Sequence, residues 1–379
     1  MFAPIVVVNY ADNQGEFLVD TGSAFTVVSG PDSLITMPDP FWRISSAGAI
    51  THEGKHLMKQ IQGANISVFG NPFVPTTIWF RNVGPKSGST ITAPHILGHF
   101  DLVKLVIRMN LRTGTCVTTT KESVSESATL LPIAKQSKQT RVWSVCIDTA
   151  GISRANVIFD SGSYFFLTLT ADRIAQLKRA SVIQDASPIH PTVFGKAVKT
   201  RTFILKSVGI GGFEFRDVQV LESNVDTLGR EFMDCFDTTI DFPNREIWLD
   251  PLETEWPLRI PPDASGLILS YRDTDLLFVV RMEPDSVAVR SGLKEGDRVL
   301  LFDGKSPKDT SMRSMRKRLT EAGTTVRMKI LRDGKEFDID LPLSRSYEYP
   351  PKWPKLNTDA DDFFKSLQKE NESKERSSE

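Results

Sequence analysis

Cysteine is scarce. Cys116, Cys146 and Cys235 are the only three in 379 residues, and no two of them form a CxxC pair. That excludes a disulfide-framed scaffold and a dithiol redox motif, and leaves the three as small buried hydrophobes. No apolar run approaches the ~18 residues that a membrane-spanning helix needs. An excess of charge is also missing: 46 Lys and Arg stand against 47 Asp and Glu, a formal net charge of −1. Without a basic excess there is nothing to drive indiscriminate phosphate binding, so a general nucleic-acid binder is excluded. The opening MFAPIVVVNYADNQGEF has neither a basic n-region nor a long apolar stretch. It reads as a strand, not as a signal peptide. The compartment expected is cytoplasmic as written, or exported if an N-terminal signal has been trimmed or missed.

What is present points to a folded, strand-rich chain. Hydrophobic residues make up 40% of the sequence, enough to bury real cores. At ~150 residues per domain the length predicts two or three domains. Short β-branched and aromatic runs at 4–10, 16–19, 65–69, 201–208 and 217–221 are separated by Gly, Pro, Asn and Asp, the pattern of many short strands. Residues 117–141 are rich in Ser, Thr and Lys and read as a connector. Residues 252–262 carry prolines and an acidic cluster and read as a linker. Beyond about Ser344 the chain is polar and charged, expected to be mobile with one short helix near 363–367.

An internal repeat organises the first 250 residues. FLVDTGS, centred on Asp20, and VIFDSGS, centred on Asp160, share an apolar triplet followed by Asp, Thr or Ser, Gly and Ser. Thr51-His52-Glu53-Gly54-Lys55 begins 31 residues after Asp20, and Thr192-Val193-Phe194-Gly195-Lys196 begins 32 after Asp160. Gly98 of Ile96-Leu97-Gly98 follows Asp20 by 78 residues, and Gly229 of Thr227-Leu228-Gly229 follows Asp160 by 69. A polar residue between apolar ones lies 12 beyond each glycine, Asn110 and Asp241. Landmarks in the same order predict two homologous lobes.

An apolar strand ending in Asp puts a carboxylate at a buried strand end. The next hydroxyl serves a neighbouring backbone group, Gly allows a tight turn, and the final Ser is placed to bond the carboxylate. Two such loops about a pseudo-twofold axis bring two carboxylates face to face. Such a pair shares one proton and titrates as a unit. Its ionised member takes a proton from water while the protonated member polarises a peptide carbonyl.

On these motifs the chain resembles the pepsin/retropepsin superfamily of aspartic proteases, nearest its compact bacterial retropepsin-like type with two lobes in one chain. The resemblance covers about 1–251. It implies that Asp20 and Asp160 are catalytic, with Thr21, Gly22, Ser23, Ser161, Gly162 and Ser163 supporting the loops and Gly54 and Gly195 in flap hairpins over the substrate. Ser161 departs from the usual Thr but keeps the hydroxyl, and no flap tyrosine of the pepsin kind is evident. The expected partners are protein or peptide substrates, with no cofactor and no metal. An intrachain pseudo-dimer makes a monomer the expected state.

A rival motif lies inside the first flap segment. His52-Glu53-Gly54-Lys55-His56 is a literal HExxH, which on a helix binds zinc with the Glu as base. The preceding ISSAGAIT is a poor buried helix, Gly54 costs roughly 1 kcal/mol within one, and TVFGK in the second lobe has no histidine. His95 and His99, also four apart, fall on the repeated Leu-Gly landmark and read as packed or solvated.

The segment 263–343 has its own signature. FVVRMEPDSVAVRSGLKEGDRVLLFDGKSP reads as a strand at Val279-Val280, a helix at 285–291 closed by Gly292, and a strand Arg298–Phe302. A turn at Asp303-Gly304, an amphipathic helix over 310–321 and a final hairpin closed by Asp333-Gly334 follow. This resembles a PDZ domain of the permuted bacterial type. It implies an extended or C-terminal peptide as ligand, its carboxylate near Gly266, Leu267 and Ile268. The fold class expected is therefore mainly β, two homologous pepsin/retropepsin-like lobes (1–116 and 142–251, joined by 117–141) followed after the 252–262 linker by a PDZ-like α+β domain (263–343) and a mobile tail (344–379). The function expected is peptide-bond hydrolysis by an Asp20/Asp160-activated water. The alternatives are a catalytically silent peptide-binding adaptor acting through the PDZ-like domain and an HExxH zinc protease.

Overall fold

The computed structural model describes residues 5–10, 13–24, 26–30, 43–51, 54–64, 66–68, 71–72, 76–82 and 95–353. Within the last stretch it omits 114, 137–141, 187–188, 190–191, 194–195, 198, 274–275, 311, 346, 348 and 350. The protein is mainly β. Among the described residues its helices are short, the longest being Ala171–Arg179, and none is long and apolar enough to cross a membrane.

Among the described residues two nine-stranded sheets share one order over six strands each. In the first, Gly54–Ala64, Thr76–Asn82, Thr26–Gly30, His95–Gly98, Asn13–Asp20 and Ile5–Tyr10 lie side by side. In the second, Thr202–Ile210, Phe213–Ser223, Leu167–Thr170, Thr227–Leu228, Ser153–Phe159 and Trp143–Thr149 do the same. The senses match as well. The aspartate-bearing strand Asn13–Asp20 runs parallel to His95–Gly98, and Ser153–Phe159 runs parallel to Thr227–Leu228. Alternation of buried and exposed side chains, as in Trp143–Thr149, gives each strand one apolar face for the core.

A five-stranded sheet joins the two halves through antiparallel pairing of Val106–Asn110 with Phe236–Asp241. Counted from Gly98 and Gly229, Arg108 and Thr239 both lie at +10, and they are partners. Val106 at +8 meets Asp241 at +12, and Asn110 at +12 meets Asp237 at +8. That register is what a local twofold axis through the Arg108/Thr239 pair requires. One core spans both halves, from Phe17, Val19 and Leu97 through Trp143 and Phe159 to Phe232, Phe236 and Leu249. Phe232, fully buried, stands 5.8, 5.6 and 5.0 Å from the rings of Phe166, Phe215 and Phe236. Truncating such a ring costs about 3–5 kcal/mol.

The C-terminal five-stranded meander, Leu267–Asp273 to Lys335–Pro342, carries the helices Val287–Arg290 and Met312–Leu319. It has a separate core that includes Leu277, Val279, Met315 and Ile330. Asp333 and Gly334 both take positive φ (49° and 75°), which closes its last hairpin.

Several expectations are corrected. The 117–141 connector supplies strands: Thr115–Thr118 and Thr129–Leu131 edge the joining sheet, and Ile133–Gln136 pairs with Trp143–Thr149. The 252–262 linker is pinned. Trp256 packs 4.7 Å from Phe213 and 5.2 Å from Phe215, and Leu258–Arg259 extends the second sheet beside Phe215 and Arg216. Within the expected tail Trp353 is anchored, its indole N–H donating to Asp217 at 3.0 Å. The expected helix at 363–367 lies outside the described residues. Cys235 is buried and Cys116 half-buried, but Cys146 points outward from its strand and is exposed.

Candidate active site

Each aspartate ends a core strand and opens a turn. Asp20 Oδ1 accepts the N–H groups of Gly22 and Ser23 at 3.0 and 2.9 Å. Asp160 Oδ1 accepts those of Gly162 and Ser163 at 2.8 and 3.1 Å. The loops are braced from behind in the same way: His99 N–H donates to Ser23 O and Arg230 N–H to Ser163 O, both at 2.8 Å.

The residues beside the aspartates tie the two loops together. The Thr21 hydroxyl donates to Phe159 O at 2.8 Å and accepts the Ser161 N–H at 3.0 Å. The Ser161 hydroxyl donates to Val19 O at 2.7 Å and accepts the Thr21 N–H at 3.0 Å. Both residues are buried, 3% and 0% exposed. Four hydrogen bonds sealed from water fix the relative position of the two carboxylates.

The glycines are needed for close approach. A Cβ on Gly22 would stand 2.3 Å from Asp160 Cγ, and one on Gly162 would stand 2.5 Å from Asp20 Cγ. Each carboxylate therefore rests against the other loop's glycine. Burial, then the charge of Asp160 and a hydrogen bond from it, hold the Asp20 carboxyl well above the usual carboxylate range. A carboxyl raised in this way is suited to hold a proton beside the second aspartate.

The remaining expected residues are placed as follows. Gly54 closes the hairpin of Arg43–Thr51 with Gly54–Ala64 by pairing with Thr51. His52, Glu53 and Gly195 lie outside the described residues, though Val193 and Lys196 on either side of Gly195 are paired. His56 sits in a strand opposite Ala49, so the helix that an HExxH zinc site requires is not formed. Among the described residues no group of three His, Cys, Asp or Glu side chains is arranged to hold a metal. His99 is packed, its ring 5.0 Å from Trp143 and 5.2 Å from Phe242. The Ser163 hydroxyl lies 3.5 Å from that of Thr227, and it is the backbone of Ser163 that serves Asp160.

The loop expected to take a peptide carboxylate is already filled. Asp263 accepts the N–H groups of Ser265 and Gly266, and the Ser265 hydroxyl accepts the N–H of Leu267 at 3.0 Å. Gly266 (φ 67°) packs against Ser286, Leu267 is buried, and Ile268 pairs with Arg281.

Sequence reasoning missed Tyr164, Arg230, Glu231 and Arg316, which surround the second loop. Burial raises the Tyr164 phenol and pushes the Glu231 carboxyl up to about 7. Glu231 accepts the Phe166 N–H at 3.2 Å. The signal for Arg230 and Glu231 was their place directly after the Gly229 landmark; nothing local marked Arg316. No protein-family model matches the chain, and no curated protein matches it.

Proposed function

We propose that the chain is a single-chain, two-lobed aspartic endopeptidase of the retropepsin/pepsin-like kind, with Asp20 and Asp160 activating one water for attack on a peptide carbonyl. The observation that carries the reading is the reciprocal exchange of hydrogen bonds between Thr21 and Ser161, which presses the two carboxylates together. The matched strand orders and the twofold register of the joining sheet support the two-lobed part of it. The chemistry follows from the pair. The ionised carboxylate takes a proton from the water as it attacks. The protonated one donates to the carbonyl oxygen, where negative charge develops. Proton return to the leaving nitrogen restores the pair.

The C-terminal unit is read as PDZ-like from its element order. Its amide loop is held by Asp263 and its Arg316 lies over Tyr164, so its first role in this reading is to buttress the second lobe. The test of the hydrolytic reading is inhibition. Cleavage of peptides that a statine-type transition-state mimic stops and a chelator leaves untouched supports it. Cleavage stopped by the chelator alone, or peptide binding without turnover, refutes it.

A further inference from the structure

The ring of Tyr164, next to Ser163 of the second aspartate loop, carries two guanidinium groups. Arg230 lies 5.6 Å from the ring centroid and Arg316 lies 5.1 Å from it. Arg230 begins the helix Arg230–Met233 and is drawn in because Gly229 has no side chain: a Cβ there would stand 2.2 Å from Phe165 O. Arg316 comes from the other side of the molecule's division, on Met312–Leu319 of the C-terminal unit.

Other arginines here have acidic partners: Arg108 has Asp237, Arg173 has Asp226, Arg318 has Asp303 and Glu321, and Arg332 has Asp297. Among the described residues the side chains of Arg230 and Arg316 have no ion pair and no hydrogen bond, and Arg230 Nε is buried without a partner. Two half-buried like charges on one ring, with no direct ion-pair partner among the described residues, are held at a free-energy cost that an anion in contact with them would relieve. Burial raises the Glu231 carboxyl to about 7 and outweighs the charge of Arg316 that it feels, and it accepts its hydrogen bond from the Phe166 amide and not from either guanidinium. The Arg230 N–H donates to Ser163 O at 2.8 Å and the Ser163 N–H donates to Asp160 Oδ1 at 3.1 Å, so this corner adjoins the aspartate pair.

We propose that Arg230 and Arg316 form a carboxylate-binding subsite beside the aspartate pair, assembled from the second lobe and the C-terminal unit together, which selects peptides with an acidic side chain near the scissile bond. The assignment of that peptide as substrate rests on the hydrolytic reading of Asp20 and Asp160. Packing over the Tyr164 ring restrains both guanidinium groups, and their N–H groups can take a carboxylate, the planar anion that arginine recognises best. The chain's own acidic segment, with Asp359, Asp361 and Asp362, offers the same chemistry in cis.

The test uses the full chain carrying Asp20→Asn, so that binding is read without turnover. The probes are labelled decapeptides, identical except for one Glu or Gln walked along the sequence, followed by fluorescence anisotropy. At one position the Glu peptide is expected to bind about tenfold more tightly than its Gln twin. Arg230→Gln and Arg316→Gln should each close that gap, Arg230→Lys should keep part of it, and Arg316→Glu should turn the preference toward a Lys peptide. Removing 354–379 and finding tighter binding of the Glu peptides would identify the chain's own tail as a competing carboxylate at the same site. Equal binding of Glu and Gln peptides at every position, with and without 354–379, overturns the proposal. So does a gap that survives either Arg→Gln change. Because no step needs hydrolysis, a wild-type chain that cleaves nothing would defeat the hydrolytic reading while leaving this result intact.

Discussion

The Thr21 hydroxyl accepts the N–H of Ser161 and the Ser161 hydroxyl accepts the N–H of Thr21, each at 3.0 Å. The relation is reciprocal between residues 140 apart in sequence, and it fixes where the neighbouring aspartates stand. Thr21→Val or Ser161→Ala leaves a buried N–H and a buried carbonyl unpaired, at about 1–3 kcal/mol each. Urea denaturation should register that loss, and peptide turnover should fall with it. Ser161→Thr keeps the hydroxyl and should retain both stability and turnover.

Gly22→Ala and Gly162→Ala test the closeness of the carboxylates. The new methyl would start 2.3 Å from Asp160 Cγ or 2.5 Å from Asp20 Cγ, so the loops must part. Turnover should fall at least about a hundredfold, the scale of a misplaced catalytic group, with the circular dichroism of the fold retained. Near wild-type kcat in either variant would mean that the two carboxylates do not act on one water.

The raised Asp20 carboxyl sets a pH dependence. A folded-state pKa above the unfolded value means that the folded protein binds more protons. The stabilising contribution is thus complete below the unfolded carboxylate value near 3.8 and is lost as pH rises through the folded one. Glu231 acts in the same sense between about 4.5 and about 7. Denaturation midpoints of the wild type should therefore drop from pH 5 to pH 8, and Asp20→Asn and Glu231→Gln should each flatten that slope. Turnover should be best at acidic pH, where the pair holds one proton, and should fade as that proton leaves.

Deleting 263–379 should not be neutral for short peptides. If the C-terminal unit only bound an extended peptide, as its PDZ resemblance implies, its loss would raise KM for long substrates alone. The observed contacts add a structural role: Arg316 over Tyr164, and Trp353 on Asp217. Truncation exposes Tyr164 beside the second loop, so short-peptide kcat/KM and the melting temperature should fall together. Unchanged short-peptide kinetics would show that the docking does not reach the site.

The aspartate loops were legible because their chemistry is written locally, in an apolar run followed by Asp, Thr or Ser, Gly and Ser. The Asp333-Gly334 hairpin and the helix ended by Gly292 were legible for the same reason. The strands within 117–141 were not, because Thr129–Leu131 is three residues long and Thr115–Thr118 is a polar edge strand with a half-exposed face. The pinning of 252–262 was hidden by its prolines, although Trp256 was the clue to its burial. Neither Arg316 nor Trp353 has a local pattern that announces a distant partner; both owe their roles to contacts across more than a hundred residues. The filled loop at Asp263 shows the converse, a motif whose donors are already used within the chain.

The central claim is that Asp20 and Asp160 of one chain act on one water, and complementation tests it most directly. Peptide hydrolysis is measured for Asp20→Asn, for Asp160→Asn, for the double variant and for an equimolar mixture of the two single variants, with the mass of each species fixed by analytical ultracentrifugation. The account predicts a monomer in which each single change removes nearly all hydrolysis, the double change is little worse, and mixing restores nothing. Activity that survives Asp160→Asn, or that returns on mixing the two variants as a dimer, would contradict it.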